Sequence, residues 1–469
     1  MQDGHANSRG YDDLKDRYAS KEMVELFSIR NRVLWWRKLW VVLAECEKEL
    51  GLNITDEQIQ DMYDNLDKIN WDIAAIKENE VHHDVIAHIY AFAMVASKAA
   101  PIIHLGATSC YVTDNTDLIL MREALRIIAK KLIVVIRNFL GFIDKYKNLP
   151  TIAYTHYQEA QPTTVGKRAS LWAYDFLIDL MSVVDRINNL PLLGCMGTTG
   201  TQASFMKLFN DDYEKVLKLN DLIKQKLEFN SVVPVSGQTY TRKIDAQVLS
   251  TLGGIASSAS KFANDIRLLM HDHEIEEDFG KAQIGSSAMP YKRNPMYSER
   301  ICGLSRYLIG LPTNLLFTHA SQWLERTLDD SSNRRIVIPQ AFMVADAILE
   351  VVIKVINNIV VNENVIKQRL LKHMEFVVTE NLLIDAVKSG GNRQVLHSAV
   401  ARMSKDAIER MRMGWQPNLI ESIKESGLFN VKEEDWDSLL DPVKYVGCAP
   451  QQTEAFIKMA SDICDGIIL

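Results

Sequence analysis

The chain is short of the residues that break helices and of those that staple small folds. Its 469 residues contain 12 prolines, none before Pro101 and none between Pro339 and Pro417. Proline removes an amide donor and clashes with the preceding turn, so stretches without it are free to run as long helices. The six cysteines (Cys46, Cys110, Cys195, Cys302, Cys448 and Cys464) include no CxxC pair. That excludes a disulfide framework and points to the reduced thiols of an intracellular protein. Neither sign of charge dominates: 53 Lys and Arg stand against 60 Asp and Glu, a net charge of −7. A general nucleic-acid or membrane-surface binder needs a basic face, and none is expected here. No uncharged apolar run of about 18 residues occurs, so no membrane span is expected. The N-terminus, MQDGHANSRGYDDL, lacks the apolar stretch of a secretory signal, which makes the cytoplasm the default address.

What the chain has is helical periodicity. Leu118, Met121, Leu125, Ile128, Leu132, Val135, Phe139, Phe142 and Tyr146 alternate steps of three and four, the spacing of a heptad seam. The spacing predicts a helix over 118–146, about 43 Å long, capped by Thr113 or Asp114. Val248, Leu252, Ile255, Ala259, Phe262, Ile266 and Leu269 repeat the pattern. Alternation of period two is almost absent, so the expected fold is all-α. Helices of that length, apolar on more than one face, predict a long-helix bundle that continues across subunits. Three helical domains are expected: 1–111, a central bundle over 112–364, and 365–469.

Five polar stretches stand out against this background. Gly285-Ser286-Ser287-Ala288-Met289-Pro290-Tyr291-Lys292-Arg293-Asn294-Pro295 places hydroxyls and cations between two prolines, as a loop between helices that does chemistry would. Glu80, His82, His83, Asp84 and His88 admit a metal site, a solvated helix end or a substrate contact; helical zinc pairs usually sit at i, i+4, whereas His83 and His88 are five apart. In His104-Leu-Gly-Ala-Thr108-Ser109 the hydroxyls lie beside a predicted helix N-terminus, where free amides favour anions. Thr155-His156 falls in a polar stretch bounded by Pro150 and Pro162, and a histidine there titrates in the range useful for acid–base work. Glu299, Arg300, Arg326, Ser331, Arg334 and Arg335 include guanidinium forks that match carboxylate and phosphate, or else form a salt-bridged helix face with Asp329 and Asp330.

In this order, and together with Gly197-Thr-Thr-Gly-Thr-Gln202, Gly237-Gln-Thr-Tyr-Thr-Arg242 and Glu325-Arg-Thr-Leu-Asp-Asp-Ser331, these stretches resemble the adenylosuccinate lyases of eukaryotic type, within the fumarase/aspartase superfamily. The likeness runs from Ser8-Arg-Gly-Tyr-Asp to about Gly391. It implies a homotetramer with shared active sites, small nucleotide substrates, and β-elimination of fumarate without metal or organic cofactor. By motif position Ser286 is the implied base and His156 the acid, with His83, Lys292 and Glu299 assisting. The implied substrate contacts are Arg17, Tyr18, His82, Asp84, Thr108, Ser109, Thr155, Gln238, Asn294, Arg300, Arg326, Ser331 and Arg335. His82 stands where related animal enzymes carry Arg.

Overall fold

The computed structural model describes residues 12–278, 280, 289 and 291–469. A short π-helical turn (Leu14–Tyr18) precedes α1 (Lys21–Leu26), α2 (Ile29–Glu49), α3 (Asp56–Asp64), α4 (Trp71–Val81) and α5 (Asp84–Val95). The central helices are α6 (Ser109–Tyr146), α7 (Val165–Asn189), α8 (Ala203–Leu208), α9 (Tyr213–Lys226), α10 (Lys243–His271), α11 (Met296–Gly310), α12 (Pro312–Ala320) and α13 (Asp329–Asn357). Then follow α14 (Glu363–Lys388), α15 (Arg393–Arg412), α16 (Leu419–Ser426), α17 (Trp436–Leu439) and α18 (Ala449–Gly466). The fold is all-α. Its short strands β1 (Pro150–Thr155) with β2 (Gln158–Thr164), and β3 (Ile275–Glu277) with β4 (Ile359–Val361), make two small antiparallel sheets.

Helix α6 starts nine residues before the apolar seam does. Its cap is Thr108, and the expected caps Thr113 and Asp114 lie inside the helix. The seam hid these turns because the buried Asp114, Asn115 and Thr116 break the apolar spacing, and Asp114 and Asn115 find their partners within the protein. Asp114 pairs with Arg242; the Asn115 amide donates to Tyr111 O at 2.7 Å and its oxygen accepts from Leu193 N and Gly194 N at 2.9 and 3.0 Å. The 38 residues of α6 span about 57 Å.

Helix α13 bears on two further expectations. Proline does not end α13, which carries Pro339 in its interior. That helix is also long and apolar enough to cross a bilayer by length and composition, and 67% of its apolar window is buried. Asp346 and Glu350 interrupt the run, so a search for uncharged residues passes over it. Both carboxylates pair with Lys131 of α6 at 2.5 Å, and α13 reads as a core helix of the bundle.

The polarity of the bundle decides what each end can hold. Arg242, at the head of α10, bonds Asp114 near the start of α6 and Asp330 in the first turn of α13. At the other end Glu274, just past α10, accepts from Thr151 just past α6, and its carbonyl accepts from Asn362 N just past α13. Helices α6, α10 and α13 therefore run parallel, and the 29 residues of α10 and of α13 set the two ends about 44 Å apart. One apolar core runs from Met23 through these helices to Ala460 and Cys464 of α18, while Val378, Leu382, Met403, Ala407 and Trp436 build a second cluster.

Candidate active site

At the first end lies a crevice of about 270 Å³. His83, Asp84, Thr108, Ser109, Gln238, Arg326, Ser331 and Arg335 line it, all of them singled out in the sequence although 252 positions separate the outermost two. Thr108 caps α6 and Arg242 caps α10, neither through its side chain, and α5 and α13 begin here as well. Unpaired amides and aligned helix dipoles at four N-termini favour an anion in the space between them. Arg326 adds to this with a buried Nη1 that lacks a hydrogen-bond partner.

The polar groups are linked. His83 Nε2 lies 3.2 Å from Ser109 Oγ and its Nδ1 3.6 Å from Asp84 Oδ1, while Arg335 Nη2 donates to Asp84 Oδ2 at 2.7 Å. Burial by itself raises the Asp84 carboxyl. The Arg335 guanidinium and the Val85 amide outweigh it and hold the group below the ordinary carboxylate range. Asp84 thus stays ionised and orients both its neighbours. Beside them the Cys110 thiol faces Gln238 Oε1 at 3.6 Å, but burial pushes it up to about 12, which leaves it inert as a nucleophile.

The floor of this crevice is an ionic network whose pairings are not legible in the sequence. Arg242 Nε bonds Asp330 at 2.6 Å and its Nη1 bonds Asp114 at 2.9 Å. Arg334 holds Asp245 at 2.7 Å, Asp117 at 3.0 Å and the Tyr240 hydroxyl at 2.5 Å, and Arg32 closes on Asp117 at 2.7 Å. Burial raises the Asp114 carboxyl against the pull of Arg242 and Arg334. The available signal was charge within apolar helical runs, as at Asp114, Asp117 and Asp245. Arg334 and Arg335 both line the crevice: Arg334 is locked in buried ion pairs with Asp245 and Asp117 rather than with Asp329 or Asp330, and Arg335 is paired with Asp84.

The histidine cluster separates. His83 faces the crevice, while His88 packs edge-on to Trp36 and Trp71 at ring distances of 5.5 and 5.9 Å, and burial lowers its pKa. They do not converge on a metal. Among the described residues no group of three or more His, Cys, Asp or Glu could hold one. His82 ends α4 in the left-handed region (φ 54°) and lies outside the crevice lining. His104 is half-buried and accepts the Trp40 indole N–H at 2.9 Å, its pKa lowered by burial to about 4.

The remaining expected residues lie toward the other end. Thr155 ends β1 and is exposed, and His156 with Tyr157 forms the two-residue turn between Thr155 and its partner Gln158, at φ 54° and 55°. The polar stretch between helices is therefore a hairpin rather than a plain loop. Tyr18 lies under the guanidinium groups of both Arg17 and Arg300, each 5.6 Å from its ring centre. Arg300 also covers Tyr297, which accepts from Lys354 near the end of α13 at 2.5 Å. Glu277 accepts from Tyr297 N at 3.2 Å and from Ser298 N at 2.8 Å, fixing the head of α11, where Glu299 is exposed. Lys292 and Asn294 lead into that helix. Ser286 lies outside the described residues.

A family model described as lyase matches residues 17–310, and one described as adenylosuccinate lyase C-terminus matches residues 375–456. The chain is 46% identical to the adenylosuccinate lyase of Saccharomyces cerevisiae over 449 residues, covering 95% of this chain and 93% of that enzyme. It is 42% identical to that of Schistosoma mansoni, over 96% of this chain and 94% of the relative. Among solved structures, the 3-carboxy-cis,cis-muconate lactonizing enzyme from Pseudomonas putida superposes with a TM-score of 0.82 at 21% identity, covering 96% of this chain and 99% of that one. A fumarate lyase from Mesorhizobium sp. BNC1 gives 0.80 at 20% identity, over 94% and 98%. At such identities these two likenesses speak for the fold alone.

Proposed function

Since the chain belongs to the adenylosuccinate lyase family of the fumarase/aspartase superfamily, and is thereby a carbon–nitrogen lyase, we propose that it splits adenylosuccinate into AMP and fumarate. The same site takes the succinylaminoimidazole-carboxamide ribotide to its carboxamide and fumarate, in purine nucleotide synthesis in the cytoplasm. Ser286 takes the proton from the succinyl carbon next to a carboxylate. The electron pair of that C–H bond forms the fumarate double bond as the C–N bond breaks, and His156 gives a proton to the departing nitrogen.

Removing that proton builds a dianionic carboxylate, which needs cations and oriented donors already in place. Lys292, Asn294 and Glu299 serve the reacting carboxylate. Arg326, Ser331, Arg335, Thr108, Ser109 and Gln238 hold substrate oxygens, and His83 orients with Asp84 behind it. A phosphate and two carboxylates bring roughly four negative charges, which accounts for a guanidinium-rich crevice in an acidic protein. The observation that carries this reading is the convergence of His83, Ser109, Arg326, Ser331 and Arg335 at four helix N-termini.

The same geometry favours a shared site. With His83 at one end of a bundle about 44 Å long and His156 at the other, one protomer cannot bring both to one substrate. Antiparallel packing of copies, as in a homotetramer, brings the hairpin of one protomer to the crevice of another. An exposed apolar stripe on α7, Leu171, Tyr174, Ile178 and Met181, each 42–52% accessible, is suited to that packing. The decisive experiment follows fumarate release by ultraviolet absorbance from adenylosuccinate, with argininosuccinate as comparison. Ser286→Ala is expected to keep the oligomer and lose about 10³-fold or more in turnover. Near-normal turnover by that variant removes Ser286 from its role, and turnover of argininosuccinate alone removes the substrate assignment.

A further inference from the structure

His156 sits in a backbone conformation that L-residues avoid, at the tip of a two-stranded hairpin. Non-glycine residues in the left-handed region are costly, and an isolated hairpin is marginal at best in water. Nothing local therefore fixes the imidazole, so what fixes it must come from outside the hairpin. The strongest such contact leads to Glu274, between α10 and β3.

Glu274 is fully buried, and both its oxygens are met from three directions. Oε1 accepts the Tyr154 hydroxyl at 2.9 Å and lies 3.2 Å from Arg369 Nε of α14. Oε2 accepts from Arg168 Nη1 of α7 at 3.3 Å and from Thr151 Oγ1 at 3.4 Å. The two arginines grip the hairpin themselves, Arg168 through Ile152 O at 2.5 Å and Arg369 through the Tyr154 hydroxyl at 3.1 Å. Arg369 also meets Asp272 at 3.3 Å, so two cations balance two carboxylates. Each of these bonds lands on β1 or on a residue that holds it, and Tyr154 is two residues from His156. The ring of Tyr154 also lies 5.8 Å from that of Tyr157, the other turn residue.

We propose that Glu274 is a positioning residue for the elimination: through Tyr154, Thr151 and Arg168 it fixes strand β1 and so aims the His156 imidazole at the nitrogen it protonates. This rests on the assignment of His156 as the acid. A purely structural hub affects stability, whereas a clamp on the acid affects turnover, and only while the acid is present. A misplacement on the order of 1 Å costs about 10²-fold in rate.

The test uses the full-length oligomer with adenylosuccinate and the variants Glu274→Gln, Tyr154→Phe, His156→Gln and Tyr154→Phe with His156→Gln. Tyr154→Phe is expected to lower kcat about tenfold and Glu274→Gln about 10²-fold, with KM within about twofold. In the His156→Gln background Tyr154→Phe is expected to cost nothing further, the non-additivity of groups that act as one. Should Glu274→Gln fail to fold, Tyr154→Phe carries the decision, since it removes one hydroxyl. Unchanged kcat in a folded Tyr154→Phe variant, or the same loss in both backgrounds, overturns the clamp while leaving His156 as the acid. Wild-type turnover by His156→Gln overturns the acid assignment and the clamp with it.

Discussion

Glu47 shows how far single side chains in this bundle depart from their ordinary chemistry. Both its carboxylate oxygens are buried without a hydrogen-bond partner, and burial pushes its carboxyl from 4.5 up to about 8. The same force acts in the opposite direction on His104, whose pKa burial lowers to about 4, because in each case the charged form is penalised. The folded chain binds the Glu47 proton more tightly than the unfolded chain does. The stability tied to it is full below pH 4.5 and drains as pH rises through about 8. Between pH 6.5 and 8 this amounts to about 2 kcal/mol for Glu47. His104 adds little in that window, roughly half a kcal/mol of the opposite sign, since its penalty vanishes once pH is well above the unfolded imidazole value of 6.5. Unfolding free energies from urea titrations at the two pH values are expected to show the fall of about 2 kcal/mol tied to Glu47 in the native chain and not in Glu47→Gln. Equal pH dependence in both rules out an uncompensated Glu47.

Among the elements, the segments that line the crevice are stitched together by backbone contact. The Gln238 amide donates to Glu325 O at 3.0 Å, and its side chain reaches Thr198 O at 3.1 Å. A Cβ on Gly237 would lie 2.4 Å from Glu325 O, and one on Gly200 would lie 1.9 Å from Ser236 O, where φ is also +81°. Gly237→Ala is therefore expected to push Gln238 away from Arg326, raising KM about tenfold with the oligomer intact; an unchanged KM counts against close approach here as the determinant. These loops were legible because their motifs are local: Thr108-Ser109, Gly237-to-Arg242 and Glu325-to-Ser331 are short runs that carry the family resemblance, although residue type alone left the last open between an anion site and a salt-bridged helix face. The hairpin was not. A two-residue turn is usually announced by Asn-Gly or Asp-Gly, and here His156 and Tyr157 occupy the left-handed positions, while the strand that leads into them is anchored by Glu274 and Arg369, 118 and 213 residues beyond His156. The start of α6 was hidden for the same reason, since the groups that satisfy Asp114 and Asn115 are contributed by distant segments.

For the whole molecule the helical period exposed the long bundle, because each seam is written into one stretch of chain. Which ends of the helices coincide is not local information. Arg242 between Asp114 and Asp330 fixes it, and those charges carry no mark of their partners in the sequence. Once the polarity is known, the division of the candidate residues follows: His83 and Arg335 at one end, His156 at the other, about 44 Å away. A site built from both must draw on two protomers at least. Variants His156→Ala and Arg335→Ala are each expected to be nearly inactive alone. Mixed in equal amounts and reassembled, half the hairpins and half the crevices are intact. Random pairing between different protomers then joins two intact parts in about a quarter of the sites. Recovered fumarate release near a quarter of the wild-type rate supports the shared site. If mixing and reassembly restore nothing while each variant alone still forms the oligomer, the crevice and the hairpin do not meet across protomers, and His156 loses its place in the reaction.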